Sequence, residues 1–155
     1  MDNKVEKRSR ATLNIYSRIL SVQELEQLVP FPPDGSRQKG SQMGRQAGNV
    51  YPHSVVAFES HIDRSASALA HLEDLLSRLN PATDALRAFA QQAQLDDFQP
   101  RVKGRKWIPV LISIDAESSD GHMGVEIAPD QLRAIADMGA VLGVELETSD
   151  EDNGE

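Results

Sequence analysis

The stretch that decides the fold is Trp107–Ile114, which reads WIPVLISI and is the most continuously apolar run in the chain. It is too short for a typical globular helix and rich in β-branched residues, so it predicts a central β-strand. Pro109 fits only where the sheet needs no backbone donor. We therefore predict that this strand lies in mid-sheet beside the first strand of the chain, with amphipathic helices packed over it.

The N-terminal third predicts a strand, a helix and a second strand. Ala11–Ile19 alternates between apolar and polar residues, as a half-buried strand does. Ser21 and Glu24 have the spacing of a capping box, and the apolar stripe of Val22–Val29 then follows at helical spacing. Val50–Ser60 reads as the second strand.

The remaining elements complete an α+β pattern. They are a Leu-rich helix over 65–79, a second helical piece over 82–93 after the Asn80–Pro81 break, a hairpin over 98–116, a helix over 129–139 and a strand over 140–148. In the helix that Pro129 begins, Leu132, Ile135 and Ala136 are expected to face inward. We predict a two-layer sandwich, ferredoxin-like or a variant of it. Its mixed or antiparallel sheet would have about four to six strands, with three or four helices.

Composition and charge restrict the function classes. The chain has 155 residues and no cysteine, and its 16 basic and 24 acidic residues give a net charge of −8. Such an acidic protein is a poor nucleic-acid ligand. There is no apolar run of membrane-spanning length, so we expect a cytoplasmic protein without membrane contact. We predict a charged N-terminal arm at 1–10, one α+β domain at 11–148 and an acidic disordered tail at 149–155.

Several segments resemble a bacterial family known as domain of unknown function 4279. They are ATLNIYSRILSVQELEQLV, SRQKG, AFES, RLNP, PVLISID and IAPDQLRAIADMGAVLGVELE. The last is the most specific, because a helix begun by proline, its A-D-x-G-A stop and a short strand rarely coincide. The resemblance spans roughly residues 11–148. It implies a fold and no particular chemistry.

The glycine-rich stretch Gly35–Pro52 is the candidate anion site. Two glycines have the spacing of a phosphate-binding loop, but Ser41 and Gln42 stand where that motif needs lysine and serine or threonine. A looser site could use cationic side chains and a concave set of glycine N–H groups. Its candidate residues are Arg37, Lys39, Gly40 and Arg45. The alternative is a solvated connecting loop.

Other polar residues carry weaker signals. The four histidines, His53, His61, His71 and His122, form no metal-binding pair, and we predict no metal and no cofactor. The stretch from Asp115 to His122 could hold catalytic residues but suits a turn better. The basic stretch Arg101–Lys106 resembles a protected edge strand more than a nucleic-acid site.

These observations favour a small binding or interaction module, immunity-like or regulatory, over an enzyme. A protein partner or a homodimer would suit it, because an acidic surface steers a basic partner and a bare sheet face favours self-association. The alternative is a small-molecule or anion-binding sensor or enzyme. Its site would lie between the 35–48 loop and the 115–122 turn.

Overall fold

The computed structural model describes residues 6–96, 108–120 and 124–148. The strands are β1 Lys7–Ser17, β2 Gly35–Arg37, β3 Ser54–Glu59, β4 Val110–Ser118 and β5 Val141–Thr148. The α-helices are α1 Val22–Glu26, α2 Ala68–Leu79, α3 Thr83–Asp96 and α4 Pro129–Asp137, and a 3₁₀ turn at Asn80–Ala82 joins α2 to α3. The predicted α+β two-layer fold is confirmed.

The strands form one mixed sheet in the order β2-β3-β1-β4-β5. Strands β1, β2, β3 and β4 pair antiparallel, whereas β4 and β5 pair parallel across the α4 connection. A ferredoxin-like fold would need its first strand–helix–strand unit to be parallel as well. Because β1 and β3 are antiparallel, the fold is a variant of that architecture.

The central strand lies where the sequence predicts it. β4 lies between β1 and β5, and Ile112 and Ile114 are fully buried on the helix-covered face. Pro109 immediately precedes β4, and its carbonyl oxygen accepts a hydrogen bond from the Tyr16 N–H at 2.9 Å. The proline ring therefore removes no donor from the ladder. Trp107 lies outside the described residues.

One hydrophobic core joins the helices to a single face of the sheet. Leu13 and Phe58 supply this face of β1 and β3, and the Leu-rich side of α2 packs against them. The opposite face of these strands carries no helix among the described elements, and we call it the open face. Its residues alternate with the core residues because strand side chains point to opposite sides in turn.

Helix α4 begins at Pro129 and ends before Gly139 (φ +69°), as predicted, but the side facing the core is different. Ile135 is buried, whereas Leu132 and Ala136 are exposed, so these two inward assignments were wrong. Gln131 is buried instead, because the oxygen and the nitrogen of its side-chain amide each form a hydrogen bond with a backbone group. Its oxygen accepts from the Ala128 N–H, and its nitrogen donates to a carbonyl oxygen of α2.

Three boundaries also differ from the sequence predictions. β1 begins at Lys7, so residues 7–10 of the predicted arm pair with β4. The glycine-rich stretch, considered above as an anion site or a solvated connecting loop, contains β2 and a bridge between Gln42 and Val50. α1 ends at Glu26, earlier than its apolar stripe indicated. Most of the predicted hairpin and all of the tail lie outside the described residues.

Candidate functional site

The open face has a depression over strands β1, β3 and β2. The ladder aligns two rows of side chains across these strands, Tyr16–Val55–Arg37 and Asn14–Ala57–Gly35. Together with Ser36, Tyr51 and His53, these six residues line a cavity of about 410 Å³. A volume of this size is within the range of small-molecule sites. We call it the open-face cavity.

Two small residues create the depression. Gly35 and Ala57 are paired across β2 and β3 and form a low floor between larger neighbours. A Cβ atom built on Gly35 would meet nothing within 4 Å, and its φ is not positive. Backbone strain therefore does not require this glycine, and a larger side chain there would project into empty space. The missing side chain leaves part of the cavity open.

Aromatic side chains form much of the rim. The rings of Tyr16 and His53 meet edge to face, with centroids 5.3 Å apart. Both rings are half-buried, and burial raises the pKa of Tyr16 above its ordinary value. Tyr51, also half-buried, stands at the base of the β2–β3 hairpin. The rim therefore offers apolar ring surface with polar edges.

Arg37 supplies the positive charge of the cavity. Its Nη1 donates to the Tyr51 hydroxyl at 2.6 Å, and its guanidinium carbon lies 4.9 Å from the centroid of that ring. Among the described residues, no carboxylate oxygen lies within salt-bridge distance of Arg37. The sequence from Gly35 to Phe58 contains no acidic residue. The guanidinium is thus oriented by a neutral partner and keeps its charge uncompensated.

Of the four predicted anion-site residues, only Arg37 lines this cavity. Lys39 turns away, because its Nζ donates to the Arg18 carbonyl oxygen at 2.7 Å. Gly40 (φ +83°) supports the hairpin, and its N–H donates to the Tyr51 carbonyl oxygen. Arg45 is exposed in the loop of the hairpin, between Gly40 and Tyr51. The glycine-rich stretch is therefore an ordered hairpin that positions Arg37 and Tyr51 and does not form a nest around an anion.

The histidines serve different structural roles. His61 Nε2 binds Asp34 at 2.8 Å. Burial would raise the pKa of Asp34, but hydrogen bonds from the Glu59 N–H and from His61 outweigh it and lower that pKa.

His71 is fully buried and binds Ser60 through Nδ1 at 2.7 Å. No group of three or more potential metal ligands occurs within the described parts of the chain, and His122 lies outside them.

The described part of the polar stretch from Asp115, for which the sequence favours a turn over a catalytic site, lies at the other end of the sheet. Asp115 pairs with Arg10, near the start of β1, whereas the open-face cavity adjoins Tyr16, near its end. Six residues of strand separate these rungs by about 20 Å. The described residues therefore form no site between the 35–48 loop and the 115–122 turn. Arg101–Lys106 lies outside the described residues.

A second polar cluster covers the β4–β5 end of the open face. Asp115 pairs with Glu145, and Glu117 pairs with Glu147, so two pairs of like charges stand side by side. We call these four carboxylates the acidic patch. Arginines of β1 lie beside the same carboxylates, since Arg10 Nη2 is 3.1 Å from Asp115 and Arg8 is the cross-strand partner of Glu117. Neighbouring like charges on β4 and β5 oppose pairing, and these arginines offset part of that cost.

The family comparison agrees with the resemblance seen in the sequence. A family model described as Domain of unknown function (DUF4279) matches residues 6–149. The chain belongs to this family. Searches of curated proteins and of solved structures gave no match to this DUF4279 protein. Among its described residues, no helix has the length and apolar character needed to cross a membrane.

Sequence reasoning found Arg37 but missed the floor and rim of the DUF4279 protein's cavity. The available signal was the polar face of the first strand, where Asn14 and Tyr16 alternate with core residues. The β2–β3 pairing could not be seen, because β2 has only three residues and all are exposed. Without that pairing, nothing in the sequence places Gly35 beside Ala57.

Proposed function

We propose that this DUF4279 protein is a binding module without catalytic activity of its own, and that the open-face cavity holds a small organic anion. The observation that carries the proposal is Arg37, a guanidinium that lies beside a cavity of about 410 Å³ and has no carboxylate partner in the described part of the chain. A charged donor of this kind forms stronger hydrogen bonds to an anion than neutral donors do. The fork of guanidinium N–H groups suits a carboxylate or phosphate.

The surroundings support an anion over a cation or a neutral ligand. The cavity lining contains one arginine, one histidine and no carboxylate. The acidic patch, which would repel an anion, lies at the far end of the sheet. Within a chain of net charge −8, this acid-free segment is a local positive region. Such a region attracts anions in spite of the net charge.

The test is an NMR titration of the ¹⁵N-labelled protein with acetate, benzoate, inorganic phosphate and phenyl phosphate. At least one anion should shift the backbone signals of Arg37, Tyr51 and Ala57. Arg37→Gln should weaken that binding about tenfold, the typical value of a charge-assisted hydrogen bond. Arg45→Gln removes the same charge from the same hairpin and should leave the affinity within about twofold, since Arg45 is exposed and does not line the cavity.

Two results would overturn the proposal. One is a set of titrations in which none of the four anions shifts the cavity signals. The other is an equal loss of affinity in both variants, which would show that only the overall charge of the hairpin matters. Thermal unfolding of each variant checks that the fold is retained.

A second candidate function is docking of a basic protein partner, in an immunity-like or regulatory role. The specific observation is the acidic patch, where Glu145 and Glu147 on the edge strand β5 stand beside Asp115 and Glu117. Such a surface speeds association with a basic partner at low salt. Glu145→Gln with Glu147→Gln should therefore slow association with a decalysine peptide, and Asp130→Asn with Asp137→Asn on α4 is the charge-matched control. Equal rates for the two double variants would contradict this candidate.

Homodimerisation, a bacterial origin and a cytoplasmic location stay predictions of the sequence. Sedimentation velocity measures directly whether the protein forms a homodimer. A monomer at all concentrations tested would remove the open face as a self-association surface.

A further inference from the structure

We infer that the anion held in the open-face cavity is a planar aromatic compound, with its ring on the Gly35–Ala57 floor and its charged group at Arg37. This inference rests on the proposed function and adds the chemical class of the ligand. It follows from the shape of the floor, the composition of the rim and the position of the charge.

The floor is flat because its residues carry almost no side chain. Gly35 and Ala57 are direct partners on adjacent strands, so their backbones lie at nearly the same height. Glycine lets a ligand approach the backbone closely, so a planar ring can contact such a surface over its whole area. A puckered aliphatic ring contacts the same surface with fewer atoms, and dispersion contacts fall off steeply with small gaps.

The width of the floor fits one ring with one attached anionic group. Tyr16 and Arg37 stand in the same row, on strands separated only by β3. Two strand spacings put their backbones about 10 Å apart. Val55 lies between them in that row, and the Gly35–Ala57 floor lies in the adjacent row. A ring on the floor therefore lies beside this row, with one edge toward Tyr16 and its charged group toward Arg37.

The rim favours an aromatic ring through its own geometry. Tyr16 and His53 already form an edge-to-face pair at 5.3 Å, which fixes the orientation of both rings. Arg37 in turn fixes the hydroxyl end of Tyr51. A ligand ring adds a further edge-to-face contact without reorganising these side chains, and such aromatic contacts are favourable beyond the apolar area they bury. Asn14, at the end of the second row, offers an amide for a polar ring substituent.

The test compares four probes on the wild-type protein by NMR titration: benzoate, cyclohexanecarboxylate, benzamide and acetate. Benzoate should bind at least about fivefold more tightly than cyclohexanecarboxylate, which has the same charge but a puckered ring. Benzamide, the neutral planar analogue, should bind about tenfold more weakly than benzoate because it lacks the charge at Arg37. Acetate should bind more weakly than either carboxylate with a ring.

Gly35→Val is the matching test of the floor. The added side chain meets nothing within 4 Å, and β-branched residues favour strands, so the variant should fold like the wild type. It should lose at least about tenfold in benzoate affinity but less than threefold in acetate affinity, because acetate needs only Arg37.

The outcomes separate this inference from the proposed function. If cyclohexanecarboxylate binds as tightly as benzoate, or if Gly35→Val binds benzoate normally, the inference is wrong and the cavity remains an anion site. If acetate, benzoate, inorganic phosphate and phenyl phosphate all leave the cavity signals unshifted, the proposed function fails with it. The rank order benzoate, cyclohexanecarboxylate, acetate with a weak benzamide supports both.

Discussion

Replacement of Ile112 by alanine tests the mid-sheet position of β4, on which the placement of every site depends. Ile112 is fully buried between β1 and β5 and belongs to the core beneath α2. Truncation of a buried isoleucine to alanine costs about 2–5 kcal/mol, and the well-packed centre of a sheet belongs in the middle of that range, at about 3–4 kcal/mol. For a domain of this size, the melting temperature should fall by about 10 °C.

Leu111→Ala is the matched control, because it removes the same number of carbon atoms from the adjacent residue. Leu111 lies on the open face and is only partly buried. Its truncation should cost less, about 1–2 kcal/mol, because part of its side chain is already in contact with water in the folded protein. Both changes in unfolding free energy would be measured by urea unfolding, with one slope of free energy against urea concentration fitted to all proteins. If Leu111→Ala is as destabilising as Ile112→Ala, β4 does not face the core as described.

Three further predictions concern stability. Burial lowers the pKa of His71 below its ordinary value of 6.5, so the unfolded chain binds this proton more readily than the folded one. The resulting stability is present above that value and is lost as the pH falls below it, so His71→Gln should flatten the pH dependence of unfolding between about pH 5 and 7. Equal acid slopes in both proteins would contradict this. Gly139→Ala should cost about 1–2 kcal/mol of unfolding free energy, because φ at Gly139 is +69° and the new Cβ would lie 3.0 Å from the Cβ of Ala90. Gly124→Ala is the control in the same urea assay and should leave the stability unchanged, since a Cβ there meets nothing within 4 Å. Ser21→Ala should cost about 1 kcal/mol by loss of the capping box, and an unchanged urea midpoint would refute that role.

The sequence predicted the fold well where the signals were local and redundant. The capping box at Ser21, the apolar run of β4 and the helix begun by Pro129 each combine periodicity with a start or stop residue. Such elements form in the same way in many tertiary contexts. Their order also predicted the α+β class, although strand directions decided against a true ferredoxin-like arrangement.

The site was less predictable because it depends on long-range pairing. Gly35 and Ala57 lie 22 positions apart in the sequence and meet only because β2 joins the edge of β3. The helical phase of α4 was misjudged for a related reason. The core-facing Gln131 satisfies its amide with backbone groups, one of them on α2, and a hydrophobic pattern does not register such contacts.

Intermolecular nuclear Overhauser effects between benzoate and the protein test whether the ligand occupies the open-face cavity. We expect contacts from the ring protons to the Ala57 methyl group and to the Tyr16 ring, and their loss in Arg37→Gln at the same benzoate concentration. Contacts to other parts of the surface without any to Ala57 would contradict it.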